Sequence, residues 1–275
     1  MFEHPRHPFP EVSAALEYLF THRVTRADLQ SRSGERNEAM QEQGQITLRD
    51  MIHQLLQVDD ETWGRYAFSR ELLKKRILPD QQNAMIAKAT ACGKEYARRI
   101  IHQHGTADAV EIAGKLELKV EFRDVSMVGK RVLFASFAPP DQIIIMQEPV
   151  DQAVRLTAAE DPGIVELFTQ KGIINTILGH ELFHFVEEQF EQEIYTRTEK
   201  ICLWNFLGWK NVSTIRTLSE IGAMAFTQEL NGLEYSPFVL DVLLYYGYDA
   251  ASAQKIFRDV LEVSSGRCRE AVDYE

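Results

Sequence analysis

Only three cysteines occur in the 275-residue chain, Cys92, Cys202 and Cys268, far apart and with no CxxC pair. So sparse and odd a set does not make a disulfide framework, and the expected setting is a reducing, cytoplasmic one. Long apolar runs are missing as well. No stretch reaches the ~20 residues of a bilayer-spanning helix, and residues 1–10 hold Glu, His, Arg and Pro where a secretory signal would be apolar. A membrane partner is therefore not expected. Clusters of Lys and Arg are lacking too, and the formal net charge is -11. Without a basic stripe to neutralise phosphates, nucleic acid is not expected as a partner either.

What the chain does contain supports a core of its own: 45% of residues are apolar and 10% aromatic, over a length that allows one large domain or two small ones. Three- and four-residue apolar spacing predicts mostly helices. An amphipathic stretch at 10–20 comes first. Helices near 47–58 and 61–75 follow, then a long one capped by Asp80 and ending near Gly105. Residues 30–45 are polar, with almost no large apolar side chain, and read as a mobile segment. Beyond Gly105 a short helix at 107–116 precedes Leu118, Val120 and Phe122, which alternate as on a half-buried strand. RVLFASF (131–137) and QIIIM (142–146) are two more strand candidates, with Pro139 and Pro140 breaking the chain between them. Helices return from Glu166 onward, at 172–188, 214–230, 237–246 and 250–263, with the polar stretch 187–200 read as a loop. The expected fold class is α+β: mostly helical, with a small sheet of three or more strands packed beside the 172–188 helix.

That helix carries the chemistry. It reads GIINTILGHELFHFVEE, and its apolar residues recur at helical spacing. His180 and His184 then project from one face, one turn apart. Two imidazoles so placed can hold one Zn²⁺. Glu181 is positioned to reach water at the ion rather than the ion itself, and to take a proton from that water. The surroundings, Leu178, Leu182, Phe183 and Phe185, are apolar. Burying two histidines and a glutamate among them is expensive unless they are paired or coordinated.

A catalytic zinc site needs a third protein ligand, and no HxxGxxH extension follows His184. Residues 217–230, TLSEIGAMAFTQEL, place Glu220 as the only acid on the first turns of a small, apolar helix. Gly222, Ala223 and Ala225 would let a neighbouring helix approach closely. A lone carboxylate there needs a partner, so Glu220 is the expected third ligand. Glu187, Glu188, Glu191 and Glu193 read as a solvated charge run or as secondary support. Tyr195 is the first candidate to steady an oxyanion, with Tyr235 and His104 behind it. Trp204 and Trp209 read as core by default and as an active-site lid in the second instance.

The HELFH segment and the later E-x-x-A-x-x-F-T-x-x-L of Glu220, Ala223, Phe226, Thr227 and Leu230, followed by Pro237, resemble the ImmA/IrrE family of zinc-dependent peptidases. Thr227 and Asn231 depart from that family's usual Ala and Leu. The similarity spans about 85–235 and extends loosely to the helix and strand at 108–122 and to the QIIIM strand. The resemblance implies a zincin-like metallopeptidase domain at 81–275, after an N-terminal helical region at 1–80. It also implies one zinc ion held by His180, His184 and Glu220, Glu181 as general base, and a protein or peptide substrate, a regulatory protein among the options. The rival reading is a module braced by metal, without catalysis. A metal-activated hydrolase of small amides or esters is a third.

Overall fold

The computed structural model describes residues 46–124, 127–128, 131–132, 134–206 and 209–265. The stretches at 10–20 and 30–45 lie outside the described residues. Helix starts follow local capping chemistry. Thr47 caps α1 (Leu48–Leu56) by accepting from the Asp50 amide, and Asp59 caps α2 (Asp60–Ser69) by accepting from Thr62. A 3₁₀ turn at Lys74–Arg76 leads into the long α3 (Pro79–His104), which Gly105 ends at φ 69°. Asp80 is not its cap. Leu78 holds that position and Pro79 follows, its fixed φ suited to a first helical residue, while Asp80 sits in the first turn where the helix dipole favours an acid.

Asp108 caps α4 (Ala109–Lys115) through the Val110 and Glu111 amides, and β1 (Lys119–Arg123) follows. The strand expected at 131–137 is two pieces. β2 (Met127–Val128) pairs with β3 (Arg131–Val132), while β4 (Ala135–Ala138) joins a separate sheet with β5 (Gln142–Met146). That sheet has three strands in the order β1-β5-β4. β5 runs parallel to β1 and antiparallel to β4, with Phe122 opposite Ile145 and Phe137 opposite Ile143. β4 is thus an edge strand.

Two helices without an expected counterpart come next, α5 (Gln147–Thr157) and α6 (Pro162–Leu167). Thr169 then caps α7 (Gln170–Gln189), the helix of the HELFH segment. α7 continues past Glu187, and a one-turn α8 (Tyr195–Thr198) replaces part of the loop expected at 187–200. An antiparallel hairpin, β6 (Lys200–Phe206) and β7 (Trp209–Thr214), precedes α9 (Arg216–Asn231), α10 (Phe238–Tyr246) and α11 (Ala250–Ser264). Trp204 and Trp209 are 53% and 78% exposed on this hairpin, so the core reading of both is corrected. Alternation here carries polar residues on both faces, leaving the tryptophans no core to enter. The fold is therefore α+β and mostly helical, with a three-stranded sheet against the motif helix.

A continuous apolar core runs from Leu48 to Val260. α3 and α9 approach closely because Gly93 faces Gly222. A Cβ on Gly93 would overlap the Gly222 carbonyl oxygen and stand 2.8 Å from the Phe226 nitrogen. α7 is covered on opposite sides. Phe185 meets Phe137 of β4 edge-on at 5.8 Å, and Phe183 meets Phe226 of α9 at 5.5 Å. The polar side chains on the enclosed middle of this helix, His180, Glu181, His184 and Glu187, are cut off from water, so burying them is costly unless they find a partner inside. Among the described residues, no helix is long and apolar enough to cross a membrane.

Candidate metal centre

His180 and His184, one turn apart on α7, turn their Nε2 atoms toward each other at 3.0 Å. Glu220, on the second turn of α9, brings Oε2 to 3.5 Å from His180 Nε2 and Oε1 to 4.0 Å from His184 Nε2. One ligand atom from each lies within 4.8 Å of the others, and all three residues are buried. Ligands ~2.0–2.1 Å from a common tetrahedral ion are separated by about 3.3 Å, so these spacings bracket one ion. The donor set, two imidazoles and a carboxylate, suits zinc. Glu220 Oε2 has no hydrogen-bond partner, an open valence that an ion would fill. This is a zincin-like triad. It is geometrically compatible with a single zinc ion.

Comparison with family models, with curated proteins and with solved structures finds no match. The site has to be understood from its own geometry.

α9 is aimed from a distance. Its start carries no side-chain cap of its own. Instead buried Glu71, just beyond α2, accepts from the Thr217 amide at 3.2 Å and the Thr217 hydroxyl at 3.0 Å. A carboxylate on those exposed amides complements the positive helix end and fixes the turn that leads to Glu220. Thr227 and Asn231 tie α9 to α7. The methyl group of Thr227 packs against Gly179, where an added Cβ would come within 3.2 Å, and Asn231 Nδ2 donates to the Asn175 carbonyl at 3.3 Å.

Glu187 is fully buried, unlike its exposed neighbours Glu188, Glu191 and Glu193. Its Oε2 accepts from His184 Nδ1 at 3.1 Å and from the Ser219 hydroxyl at 2.5 Å, and its Oε1 accepts from Thr196. Arg197 Nε stands 3.5 Å away. Holding Nδ1 in this way presents Nε2 to the candidate ion and fixes the ring. The charged-run reading holds for Glu188, Glu191 and Glu193, while Glu187 takes the other option named for these acids, support of the site. The spacing of three residues from His184 was the signal available for it.

Electrostatics reflect burial without a counter-ion. Desolvation raises Glu181 to about 7 and Glu220 to about 8. Burial, then His184, holds His180 well below its ordinary value. For His184 burial opposes charge, but the Glu187 hydrogen bond and the Glu220, Glu187 and Glu181 carboxylates outweigh it and lift the ring to about 9. Burial alone would raise Glu187, yet His184, Arg197 and Ser219 bring it below the ordinary carboxylate value. Neither oxygen of Glu181 has a hydrogen-bond partner.

A narrow cavity of about 20 Å³ opens beside Glu181 and His180. Its walls include Phe134, Ile177, Met224 and Leu244, and a further acid, Asp241 of α10, lies in its lining. Asp241 was not singled out from the sequence, although it is the lone charge in the apolar run FVLDVLLYY.

The remaining oxyanion candidates are dispersed. The Tyr195 ring sits 5.8 Å below the Lys88 ammonium, and its hydroxyl is raised by burial and by Glu199. Tyr235 packs on Phe168 at 5.9 Å, with burial raising its hydroxyl to about 12. His104 is the last residue of α3, and its carbonyl accepts from Lys115 Nζ.

Proposed function

We propose that this chain is a zinc-dependent peptidase of the kind the ImmA/IrrE resemblance suggests. The supporting observation is the buried Glu181 carboxylate, faced only by the Phe137 backbone amide, beside a cluster that among the described residues offers three donors. A metal brace is closed by four protein ligands, whereas a catalytic centre keeps one position open. When bound, zinc supplies a lowered water pKa and polarises a carbonyl. His180 Nε2, His184 Nε2 and Glu220 would hold the ion, and Glu187 keeps His184 in the tautomer that presents Nε2. Glu181 takes the proton from the attacking water and returns it to the leaving amine.

The Phe137 amide of β4 faces Glu181 and partly offsets the effect of burial on it. Tyr195, on the one-turn α8 that follows the metal-bearing helix, is kept as the candidate for oxyanion stabilisation. The smallness of the cavity favours a second reading, a metal-braced binding module. Metal content of the native protein and of Glu220→Ala tests the first step. About one zinc per native chain, lost in the variant, supports the ligand set. Cleavage of a fluorogenic peptide mixture by the native protein and not by zinc-loaded Glu181→Gln supports the peptidase. Stoichiometric zinc with no cleavage leaves the brace.

A further inference from the structure

The chain as a whole is acidic, with 30 Lys and Arg against 41 Asp and Glu. Two segments reverse that balance. Residues 72–78, in the turn between α2 and α3, and residues 200–216, which carry the β6–β7 hairpin, hold Lys74, Lys75, Arg76, Lys200, Lys210 and Arg216 and no acid at all. The fold sets the two segments side by side. Arg76 Nη1 donates to the Leu203 carbonyl of β6 at 2.9 Å, across 127 residues of sequence, and Glu71 at the head of the turn is tied to Thr217 just past β7. The acids at the outer ends are this buried Glu71, Asp80 and Glu199.

The same segments carry the apolar side chains that face water most openly. Leu72 is 84% exposed and Leu78 67%, and with Trp209 they are the three most exposed large apolar residues among those described. The register pairs Trp204 with Asn211 and Phe206 with Trp209, so Trp204 and Trp209 lie diagonally on one face of the hairpin. Lys210 and Val212 lie on the other face, and both are exposed. Apolar surface gathered in this way marks a site of contact.

The residue types select the partner. Protein interfaces gather Trp but deplete Lys, and a folded partner covers one face of a hairpin. Nucleic acid would use the cations and stack on the rings, but it gives Leu72 and Leu78 no role. The headgroup layer of an anionic bilayer uses all three classes together. Trp settles at the boundary of water and hydrocarbon, aliphatic tips reach past it, and the cations meet lipid anions from either face. We propose that the β6–β7 hairpin and the 72–78 turn form one docking surface for an anionic phospholipid bilayer. Such a contact lies on the membrane and needs no helix that crosses it. The acid excess of the remaining chain orients the molecule, since the bilayer repels every side but this one. The proposal stands apart from the peptidase reading, because His180, His184 and Glu220 belong to α7 and α9 and to neither segment.

The test is co-sedimentation of the full chain with vesicles of phosphatidylcholine alone and of phosphatidylcholine with about one-quarter phosphatidylserine. Binding is expected to the mixed vesicles and not to the neutral ones, and it should weaken as salt rises. The triple variant Lys75→Gln, Lys200→Gln, Lys210→Gln should bind on the order of a hundredfold more weakly, at about fivefold per cation. Arg76 is left in place because it bonds Leu203. Fluorescence gives a second reading. Of the three tryptophans Trp63 is buried, so a blue shift on adding mixed vesicles reports Trp204 and Trp209 and should vanish in Trp204→Gln, Trp209→Gln. Circular dichroism verifies the fold of both variants. Equal binding to the two vesicle types, binding to neither, or binding indifferent to both variants overturns the proposal. So does a DNA duplex bound as tightly as the mixed vesicles, which would make this a nucleic-acid surface. A concentration-dependent dimer that the tryptophan variant loses overturns it as well, in favour of an interface between copies.

Discussion

Glu187→Gln separates an oriented histidine from one merely near the ion. The substitution keeps volume and leaves one oxygen to accept from Thr196. The new amide nitrogen, however, faces the His184 Nδ1–H and the Ser219 hydroxyl, which both donate to Oε2 in the native protein. Ser219 can rotate and accept from the amide instead. His184 has no such freedom, so one charge-assisted bond is lost, worth about 1.5–3 kcal/mol. At 1.4 kcal/mol per tenfold, zinc affinity should fall roughly ten- to a hundredfold, the range typical for partners of metal-bound histidines. Competition against a chelating dye at fixed pH measures the dissociation constant, and circular dichroism verifies the fold. Glu188→Gln, at an exposed position, is the control and should change nothing. A well-folded Glu187→Gln that binds zinc as tightly as the native chain would refute the claim that this carboxylate sets the tautomer.

Glu181→Gln should keep the native zinc content and lower any peptide-cleavage rate by about 10²–10⁴-fold, read as kcat with KM little changed. The metal-free protein should lose stability as pH rises from about 6.5 to 8. Glu181 and Glu220 have folded pKa values above their unfolded ones, so the stability they contribute is full below about 4.5 and is lost as pH passes about 7 and 8. His184 acts in the same sense up to about 9. His180, held well below its ordinary value, opposes them until pH passes about 6.5, so the fall is expected above that point. Glu187, shifted down, acts oppositely only at low pH. Thermal melts across that window should show Tm falling without zinc and a much flatter profile with it; a Tm that rises with pH in the metal-free chain contradicts the burial argument. Gly93→Ala should destabilise by about 1–3 kcal/mol, because the new methyl meets the backbone of α9 rather than a movable side chain. Urea denaturation measures it, and an unchanged midpoint would mean that α3 and α9 can part at little cost.

Helices with a clear apolar stripe were legible in the sequence, α1, α3 and α11 among them, since period alone defines the buried face. α7 was legible for another reason, its two histidines at ligand spacing in an apolar run. The cluster of His180, His184 and Glu220 could be anticipated because each is a polar residue isolated among apolar ones. Glu71 was not legible, and Glu187 was named for support only jointly with three acids that prove exposed. Glu187 hid in a run of acids that are otherwise solvated, and Glu71 acts on α9 across a long span of sequence, where spacing says nothing. The β6–β7 hairpin escaped notice because it is mostly exposed, with only Ile201 and Leu203 half-buried on one face of β6, too short a pattern to mark a strand. Asp241 carried a visible signal, a single acid amid Leu and Val, of the same kind that pointed to Glu220.

Both ends of that hairpin are pinned. Before it, Thr196 is tied to Glu187, and after it, Thr217 is tied to Glu71, with Lys200 opposite Thr214 at its base. The tip can therefore change length without transmitting movement to either metal-facing helix, and a closed loop loses only about 0.6 kcal/mol for each doubling. For protein engineering this is a graft point. A reporter peptide or affinity tag inserted between the two strands should leave zinc content untouched.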